Sequence, residues 1–180
     1  QAEARLRLQL PEHAKVTVTI GRLVEQKGHT ILLQALQKLK QQGSSDVYAV
    51  LVGDGPWRQR LQDQAKALGL EQQIRFLGTR TDIGDILRAA DLYVMPSLWE
   101  GLGLALLEGM AAGLPVLASR VGGMIEVLGE GQYGYLVPAN DVAALAQQLS
   151  ALLAPGKDLS QMASTAQKRV ADFSATRMVA

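Results

Sequence analysis

Two glutamates near the middle of the chain frame an apolar stretch, "EGLGLALLE", which runs from Glu100 to Glu108. If the whole stretch were helical, the carboxylates would stand about 12 Å apart along the axis, from a rise of about 1.5 Å per residue. That is too far for a close acid–base pair, so we predict that the glutamates bracket a ligand. Gly101 and Gly103 allow a ligand to approach the backbone. The first turn of the following helix offers unpaired N–H groups to an anion.

Glu108 is the only charged residue of the helix predicted over 102–112. A helix that is apolar all round is expected to be buried, and a buried carboxylate needs hydrogen-bond donors. The vicinal diol of a ribose offers two such donors, but a backbone cap or a lysine would serve as well. Glu100, taken alone, has the features of an exposed loop acid.

Two cations follow the apolar run at 16–20. Arg22 and Lys27 have only Glu25 as an acidic neighbour in sequence, and Gly21 is expected to let the chain turn sharply as it leaves the strand. A guanidinium fork and an ammonium together suit an oligophosphate. Two solvated surface charges would explain these residues equally well.

The segment "GDGP", which runs from Gly53 to Pro56, follows the next apolar run. It lacks the third glycine of a dinucleotide fingerprint, and Pro56 has no backbone donor. We therefore prefer a structural interpretation, with Asp54 as a helix cap and Pro56 in the first helical turn. Gly53 can also line a cleft.

Gly122 and Gly123 are predicted to form a flexible turn near the same crevice. His13 and His29 are isolated, so their spacing predicts no metal site. No Ser-His-Asp or Cys-His arrangement is evident.

Short apolar runs alternate with amphipathic ones along the chain, which predicts an α/β fold with a doubly wound, Rossmann-like parallel sheet. Ligands of such sheets bind beyond the carboxyl ends of the strands. Strands are predicted at 16–20, 47–53, 74–78, 91–97, 115–119 and 133–138, and helices at 30–43, 57–70, 81–90, 102–113, 140–154 and 157–180.

Composition narrows the class of protein. The chain has 180 residues, of which 48% are hydrophobic, and a net charge of +1, so we expect one domain and no nucleic-acid partner. It has no cysteine, which fits a reducing compartment, and no apolar run that would span a membrane. No signal peptide is visible. Since the chain begins at Gln1 without a methionine and stops at Ala180 without an evident terminator, we expect a piece of a longer protein.

Six segments in order resemble the nucleotide-sugar-binding domain of retaining glycosyltransferases of the GT-B type. The resemblance is closest to the large family four, which includes sucrose synthase and many mannosyl- and glucosyltransferases of cell-surface polysaccharides. It runs from about Val16 to Leu153 and is loose beyond Pro155. The segments are "GRLVEQKG", "LVGDGP", "IRFLGTR", "ADLYVMPSLWEGLGLALLEGMAAGLPVLAS", "VGGMIEVL" and "GYLVPANDVAAL".

The resemblance implies one half of a GT-B fold: a single donor-binding domain over 1–180, with its core at about 16–153 and a helical tail at 157–180. The acceptor-binding N-terminal domain would lie outside this chain. The donor would be a UDP-, GDP- or ADP-sugar, bound without a metal or other cofactor.

The resemblance also implies roles for residues. Arg22 and Lys27 would hold the diphosphate, with Gly21 and Gly53 beside it, and Glu108 would bind the ribose hydroxyls. Glu100 would face the transferred sugar, which makes Glu100, Arg22 and Lys27 the candidate catalytic residues. The sugar would also meet the backbone of Gly101, Leu102, Gly103 and Leu104, and the base edge would meet Gly78, Thr79 and Arg80. Many relatives have an aromatic residue in place of Leu102, so the resemblance does not determine which sugar is transferred.

The implied activity is that of a hexosyltransferase, which moves a sugar to an acceptor hydroxyl with retention during polysaccharide, lipopolysaccharide or glycolipid synthesis. The chain alone is expected to bind the donor without turnover. We expect a cytoplasmic location, with peripheral contact to the inner face of the membrane through the missing half. The alternatives are a GT-B type nucleotide-sugar epimerase domain, which would need acid and base groups in the cleft, and a non-enzymatic nucleotide-binding module.

Overall fold

A single parallel sheet of six strands forms the centre of the computed structural model, which describes residues 1–173. The strand order is β3-β2-β1-β4-β5-β6, and all neighbouring strands are parallel. The predicted α/β class and parallel sheet are therefore confirmed. The strands are β1 Lys15–Ile20, β2 Val47–Val52, β3 Ile74–Gly78, β4 Leu92–Met95, β5 Val116–Ser119 and β6 Tyr135–Val137.

Helices cover both faces of the sheet. Two of them, α1 and α6, were not predicted, because their short segments lack a clear apolar stripe. The helices are α1 Ala2–Arg7, α2 His29–Gln41, α3 Arg58–Ala67, α4 Ile83–Ala89, α5 Leu104–Ala111, α6 Gly122–Val127, α7 Val142–Leu152 and α8 Ser160–Arg169. Of the tail predicted as helical, 174–180 lies outside the described residues. None of the helices within 1–173 is long and apolar enough to cross a membrane.

The strands are buried on both faces, which explains why they lack a polar–apolar alternation. On one face they pack against α2, α3 and α7, and on the other against α4, α5 and α6. The two threonines of β1 remain compatible with this burial because their hydroxyls donate to strand carbonyls. Thr17 Oγ1 donates to Tyr48 O at 3.2 Å, and Thr19 Oγ1 donates to Val94 O at 2.8 Å.

The chain order reverses at β1. From β1 the chain moves outward to β2 and β3, and then returns to the other side of β1 with β4, β5 and β6. Connections on the two sides of such a switch point lie on opposite faces of the sheet, so a crevice opens at the carboxyl ends of the two central strands. The loops that follow Ile20 and Met95 border this crevice.

A buried ion pair attaches α1 to the start of β4. Arg5 Nη2 donates to both carboxylate oxygens of Asp91, at 2.9 and 2.8 Å, and the Asp91 carboxylate also accepts from Val16 N at 2.8 Å. The Arg5 side chain is only 9% exposed. Its other nitrogens donate to the carbonyls of Ala89 and Glu12. Every nitrogen of the guanidinium thus donates, and the contacts join α1 and the start of β1 to the start of β4.

The predicted helix caps are partly wrong. Asp54 does not cap α3, which begins at Arg58; its carboxylate accepts from Gly55 N and from the Arg58 guanidinium. Asp82 precedes α4 but pairs with Arg80 instead of capping the helix. Asp141 does cap α7, with Oδ1 accepting from Ala144 N at 2.9 Å.

Candidate functional site

An ion pair joins the loops that follow β1 and β4. Lys27 Nζ lies 2.6 Å from Glu100 Oε2, and Ser97 Oγ donates to the same oxygen at 3.3 Å. The two charged side chains are only 18% and 11% exposed. The expectation that Lys27 has no acidic neighbour beyond Glu25 is therefore wrong, as is the view of Glu100 as an exposed acid. The partner lies 73 positions away in sequence, so no local pattern could reveal it.

Backbone contacts hold the same two loops together. Leu98 N donates to Gln26 O at 2.8 Å, and Gln26 Nε2 donates to Trp99 O at 3.1 Å. Gly28 has a φ of 63°, and a Cβ there would lie 1.9 Å from Pro96 O. A side chain at this position would push the loops apart, so the Lys27–Glu100 pair depends on this glycine.

The segment predicted as a flexible turn begins α6. Gly122 has a φ of 46°, and a Cβ there would lie 1.9 Å from Glu100 O. Gly123 N donates to Gly101 O at 2.8 Å. The two glycines are therefore ordered, because they allow α6 to pack directly against the loop that carries Glu100.

Arg22 presents an exposed side chain at the same edge of the sheet, and within 1–173 it forms no ion pair. The adjacent Gly21 does not have a positive φ, and a Cβ there would meet the Lys27 side chain at an ordinary 3.5 Å. The expectation that Gly21 is needed for a sharp turn is wrong. Gly53 lies close by, since a Cβ on it would lie 2.1 Å from Gly21 O.

Below Arg22 lies a buried histidine that the sequence did not single out. His29 Nε2 lies 3.3 Å from Arg22 O, and because a carbonyl only accepts, this nitrogen carries the proton. Burial lowers the pKa of His29 to about 4, with a smaller effect in the same direction from Lys27. His29 is thus neutral near pH 7 and fixes the carbonyl of Arg22.

Acid should destabilise the protein through His29. Its pKa falls from an ordinary 6.5 to about 4 on folding, so the unfolded chain binds the proton first as the pH drops. The contribution of neutral, buried His29 to the free energy of unfolding is complete above pH 6.5 and is lost as the pH falls toward 4. Between pH 7 and 5 the loss should be about 2 kcal/mol. Urea unfolding of His29→Gln should lack this part of the pH dependence. His13→Gln is the matched control, because His13 is exposed and should keep the wild-type dependence.

Glu108 lies on the outer face of α5. Only Leu106, Gly109 and Met110 of this helix are buried, so the helix contacts the sheet through one stripe. Glu108 is exposed and, within the described residues, has no hydrogen-bond or ion-pair partner. The prediction that Glu108 is buried is wrong, because the apolar residues of the opposite face, such as Leu104, are not covered either.

The N-terminus of α5 points to the crevice without a side-chain cap. Gly103, its N-cap residue, has a φ of 71° and no side chain to accept from the first turn. Gly101 precedes it in an exposed position, and a Cβ on Gly101 would meet nothing within 4 Å. Leu102 is half-buried between the two glycines.

The loop after β3 adjoins the end of β2, through a hydrogen bond from Gly53 N to Gly78 O at 2.8 Å. Thr79 and Arg80 follow as exposed residues. The Arg80 guanidinium donates to both carboxylate oxygens of Asp82, at 2.8 and 2.6 Å. Asp82 therefore already partners this arginine, and Gly78 is buried, whereas Thr79 is exposed.

Within residues 1–173, no group of three or more His, Asp or Glu side chains is placed to hold a metal ion. The absence of a metal in the reaction stays a prediction.

Comparison with known proteins identifies the family of the chain. The family model for "Glycosyl transferases group 1" matches residues 1–169. The chain belongs to the group 1 glycosyltransferases. A curated relative, the D-inositol 3-phosphate glycosyltransferase of Corynebacterium efficiens, is 34% identical over 95% of this chain. The match covers 42% of that relative, so the chain spans less than half of its length.

Solved structures show the same fold. The Anabaena protein HepE in complex with UDP and glucose has a TM-score of 0.87 and 30% identity, covering 95% of this chain and 47% of that one. A C-terminal domain of a group 1 glycosyltransferase from Francisella tularensis has a TM-score of 0.80 and 28% identity. The match covers 94% of this chain and 90% of that domain. The chain is therefore a C-terminal-type domain, one half of a GT-B glycosyltransferase.

Proposed function

We propose that this chain is the donor-binding half of a retaining glycosyltransferase, which takes a hexosyl group from a nucleoside-diphosphate sugar. The acceptor hydroxyl would be presented by an N-terminal half outside this chain. The observation that carries the proposal is the meeting of Arg22, the Lys27–Glu100 pair and the open N-terminus of α5 at one edge of the sheet. The relatives' reactions and the UDP bound by HepE add support.

The charges of this edge suit the departing diphosphate. When the bond between the sugar and the diphosphate breaks, negative charge builds on the phosphate oxygens. Fixed donors that meet this charge lower the barrier, and the loss of one donor typically costs about 3 kcal/mol. We assign that role to Arg22, Lys27 and the first-turn amides of α5, without a metal. Glu100 holds Lys27 in place and lies beside the sugar, and neither glutamate is assigned as a nucleophile.

The remaining contacts would fix the nucleoside. Glu108 projects from α5 with both carboxylate oxygens free to accept from ribose hydroxyls. Gly78 and Thr79 would approach the base, with Gly53 beneath the diphosphate. Two large apolar side chains at the same rim, Trp99 (54% exposed) and Leu104 (63%), would be covered by the acceptor-binding half.

Calorimetric titration of the chain with UDP, GDP and ADP and with their glucose and mannose conjugates tests the proposal. One of the three diphosphates should bind at or below millimolar concentration, and EDTA should leave the affinity unchanged. The sugar conjugate should remain intact, because the acceptor half is missing. If none of the three diphosphates binds at millimolar concentration, the proposal fails.

Glu108→Ala should weaken diphosphate binding by about tenfold, because hydrogen bonds to a charged group contribute about 1.5–3 kcal/mol. The melting temperature should not change, since Glu108 is exposed and unpaired within the described residues. Glu100→Ala is the matched comparison. It should weaken binding less, because it frees Lys27 for the phosphates, but it should lower the melting temperature. The opposite order of affinities would reject the assignment of Glu108 to the ribose.

A further inference from the structure

The side chain of Arg58, in the first turn of α3, covers the end of strand β3. Gly78 is buried there with a φ of 68°, and a Cβ on it would lie 3.1 Å from Arg58 Nη1. Apart from the neighbours of Gly78 in sequence, no other atom of residues 1–173 comes within 4 Å of that point. The guanidinium therefore lies over the turn at which we propose that the base of the donor binds.

The segment "GDGP" holds Arg58 in this place. Asp54 Oδ2 accepts from Arg58 Nη1 at 3.1 Å, and Asp54 Oδ1 accepts from Gly55 N at 2.8 Å. The backbone oxygen of Asp54 also accepts from Leu23 N at 3.0 Å, which joins the segment to the loop that carries Arg22. The Asp54–Arg58 pair thus connects the loop of the proposed diphosphate site with the end of β3.

One edge of the Arg58 guanidinium remains free for a ligand. Asp54 occupies Nη1, whereas Nε and Nη2 have no partner within residues 1–173, and the side chain is 35% exposed. The N–H groups of Nε and Nη2 lie in one plane and point the same way, so they suit two acceptors on one base edge. Guanine offers O6 and N7, and uracil offers a carbonyl oxygen, O4. Adenine has an amino group beside its N7, and this group would oppose the two donors.

We propose that Arg58 is a specificity residue, which donates from Nε and Nη2 to the carbonyl-bearing edge of the donor base and so selects guanine or uracil over adenine. Asp54 orients the guanidinium by holding Nη1. The proposal rests on the proposed function and narrows its donor to a GDP- or UDP-sugar. It also gives the buried Gly78 a role, because a side chain at that position would displace the guanidinium.

The test compares three diphosphates within each variant. Wild-type chain, Arg58→Lys and Arg60→Lys are each titrated by calorimetry with UDP, GDP and ADP. In wild type, the tighter of UDP and GDP should bind about tenfold more tightly than ADP, as expected for a bidentate contact to a base edge. Arg58→Lys keeps the charge but loses the planar fork, so this ratio should fall to about twofold. Arg60→Lys is the matched control and should keep the wild-type ratio, because the Arg60 guanidinium stacks on the Trp57 ring, 4.2 Å from its centroid.

Two outcomes overturn this proposal and leave the proposed function intact. One is a wild type that binds ADP as tightly as UDP and GDP, which needs no variant to be seen. The other is an unchanged ratio in Arg58→Lys, even if all three ligands bind more weakly, because the arginine would then serve the phosphates or the fold. Each ratio is taken within one variant, so a change in stability does not imitate the effect. Arg58→Lys should in any case melt close to wild type, since exposed ion pairs contribute little. If wild type binds none of the three diphosphates, the proposed function itself fails, and this proposal with it.

Discussion

Replacing Lys27 with methionine is expected to weaken binding of the nucleoside diphosphate by about thirtyfold and also to destabilise the fold. The first effect follows from the loss of a charged donor to phosphate, which contributes about 1.5–3 kcal/mol. The second follows because Glu100, only 11% exposed, loses its cation. Breaking a fully buried ion pair costs about 3–5 kcal/mol, so we expect about 2 kcal/mol for this partly exposed one. Calorimetry and urea unfolding measure the two effects.

A double variant separates the two effects. In Lys27→Met combined with Glu100→Gln, neither member of the pair is left as an unpaired, mostly buried charge, so most of the lost stability should return. The affinity should stay low, because the cation that would meet the diphosphate is still missing. A double variant that binds the diphosphate as tightly as wild type would show that Lys27 acts only on the fold.

Asp91→Ala is expected to lower the free energy of unfolding by about 2 kcal/mol, less than the cost of about 3–5 kcal/mol for breaking a fully buried pair, because the Asp91 side chain is 27% exposed. Arg5 would keep its positive charge with a side chain only 9% exposed, and Val16 N would lose its acceptor. The urea midpoint should fall accordingly, and α1 should become more accessible to proteases.

The matched control for Asp91 is Asp85→Ala. Asp85 also pairs with arginines, Arg7 and Arg88, but all three side chains are more than a third exposed. Exposed pairs contribute about 0–1 kcal/mol, so this variant should unfold close to wild type. Equal destabilisation by the two variants would show that burial of the Arg5–Asp91 pair has no special effect on stability.

Local sequence pattern was sufficient for the architecture. The run at 47–53 is apolar on both faces, the runs at 16–20 and 74–78 are short and largely apolar, and helical segments separate them. A strand buried on both faces must be covered by helices, so the pattern required a parallel sheet whatever the order of its strands. The short helices α1 and α6 could not be predicted, because six-residue segments have too few turns to develop an apolar stripe.

A ligand-binding role for the site was proposed from residue types and from the family resemblance and stays a prediction; the contacts of the site were not predicted. The sequence indicated that Arg22, Lys27 and Glu100 belong to loops at one edge of the sheet, with Glu108 on the helix that follows. It gave no indication that Lys27 pairs with Glu100, because that contact depends on β4 lying next to β1. Strand order is set by the packing of the whole chain, and a local pattern carries no information about it.

The burial of individual side chains was also decided by tertiary structure. Helix α5 is apolar all round, so its composition predicted a buried Glu108, while the sheet covers only one stripe of the helix. The same packing placed His29 against the backbone of Arg22. By itself the sequence determined the kinds of element and the residues of their loops, since hydrophobic periodicity and turn chemistry act over a few residues. Which charges meet, and which face water, depends on contacts between residues far apart in the chain, and these form only when the sheet is assembled.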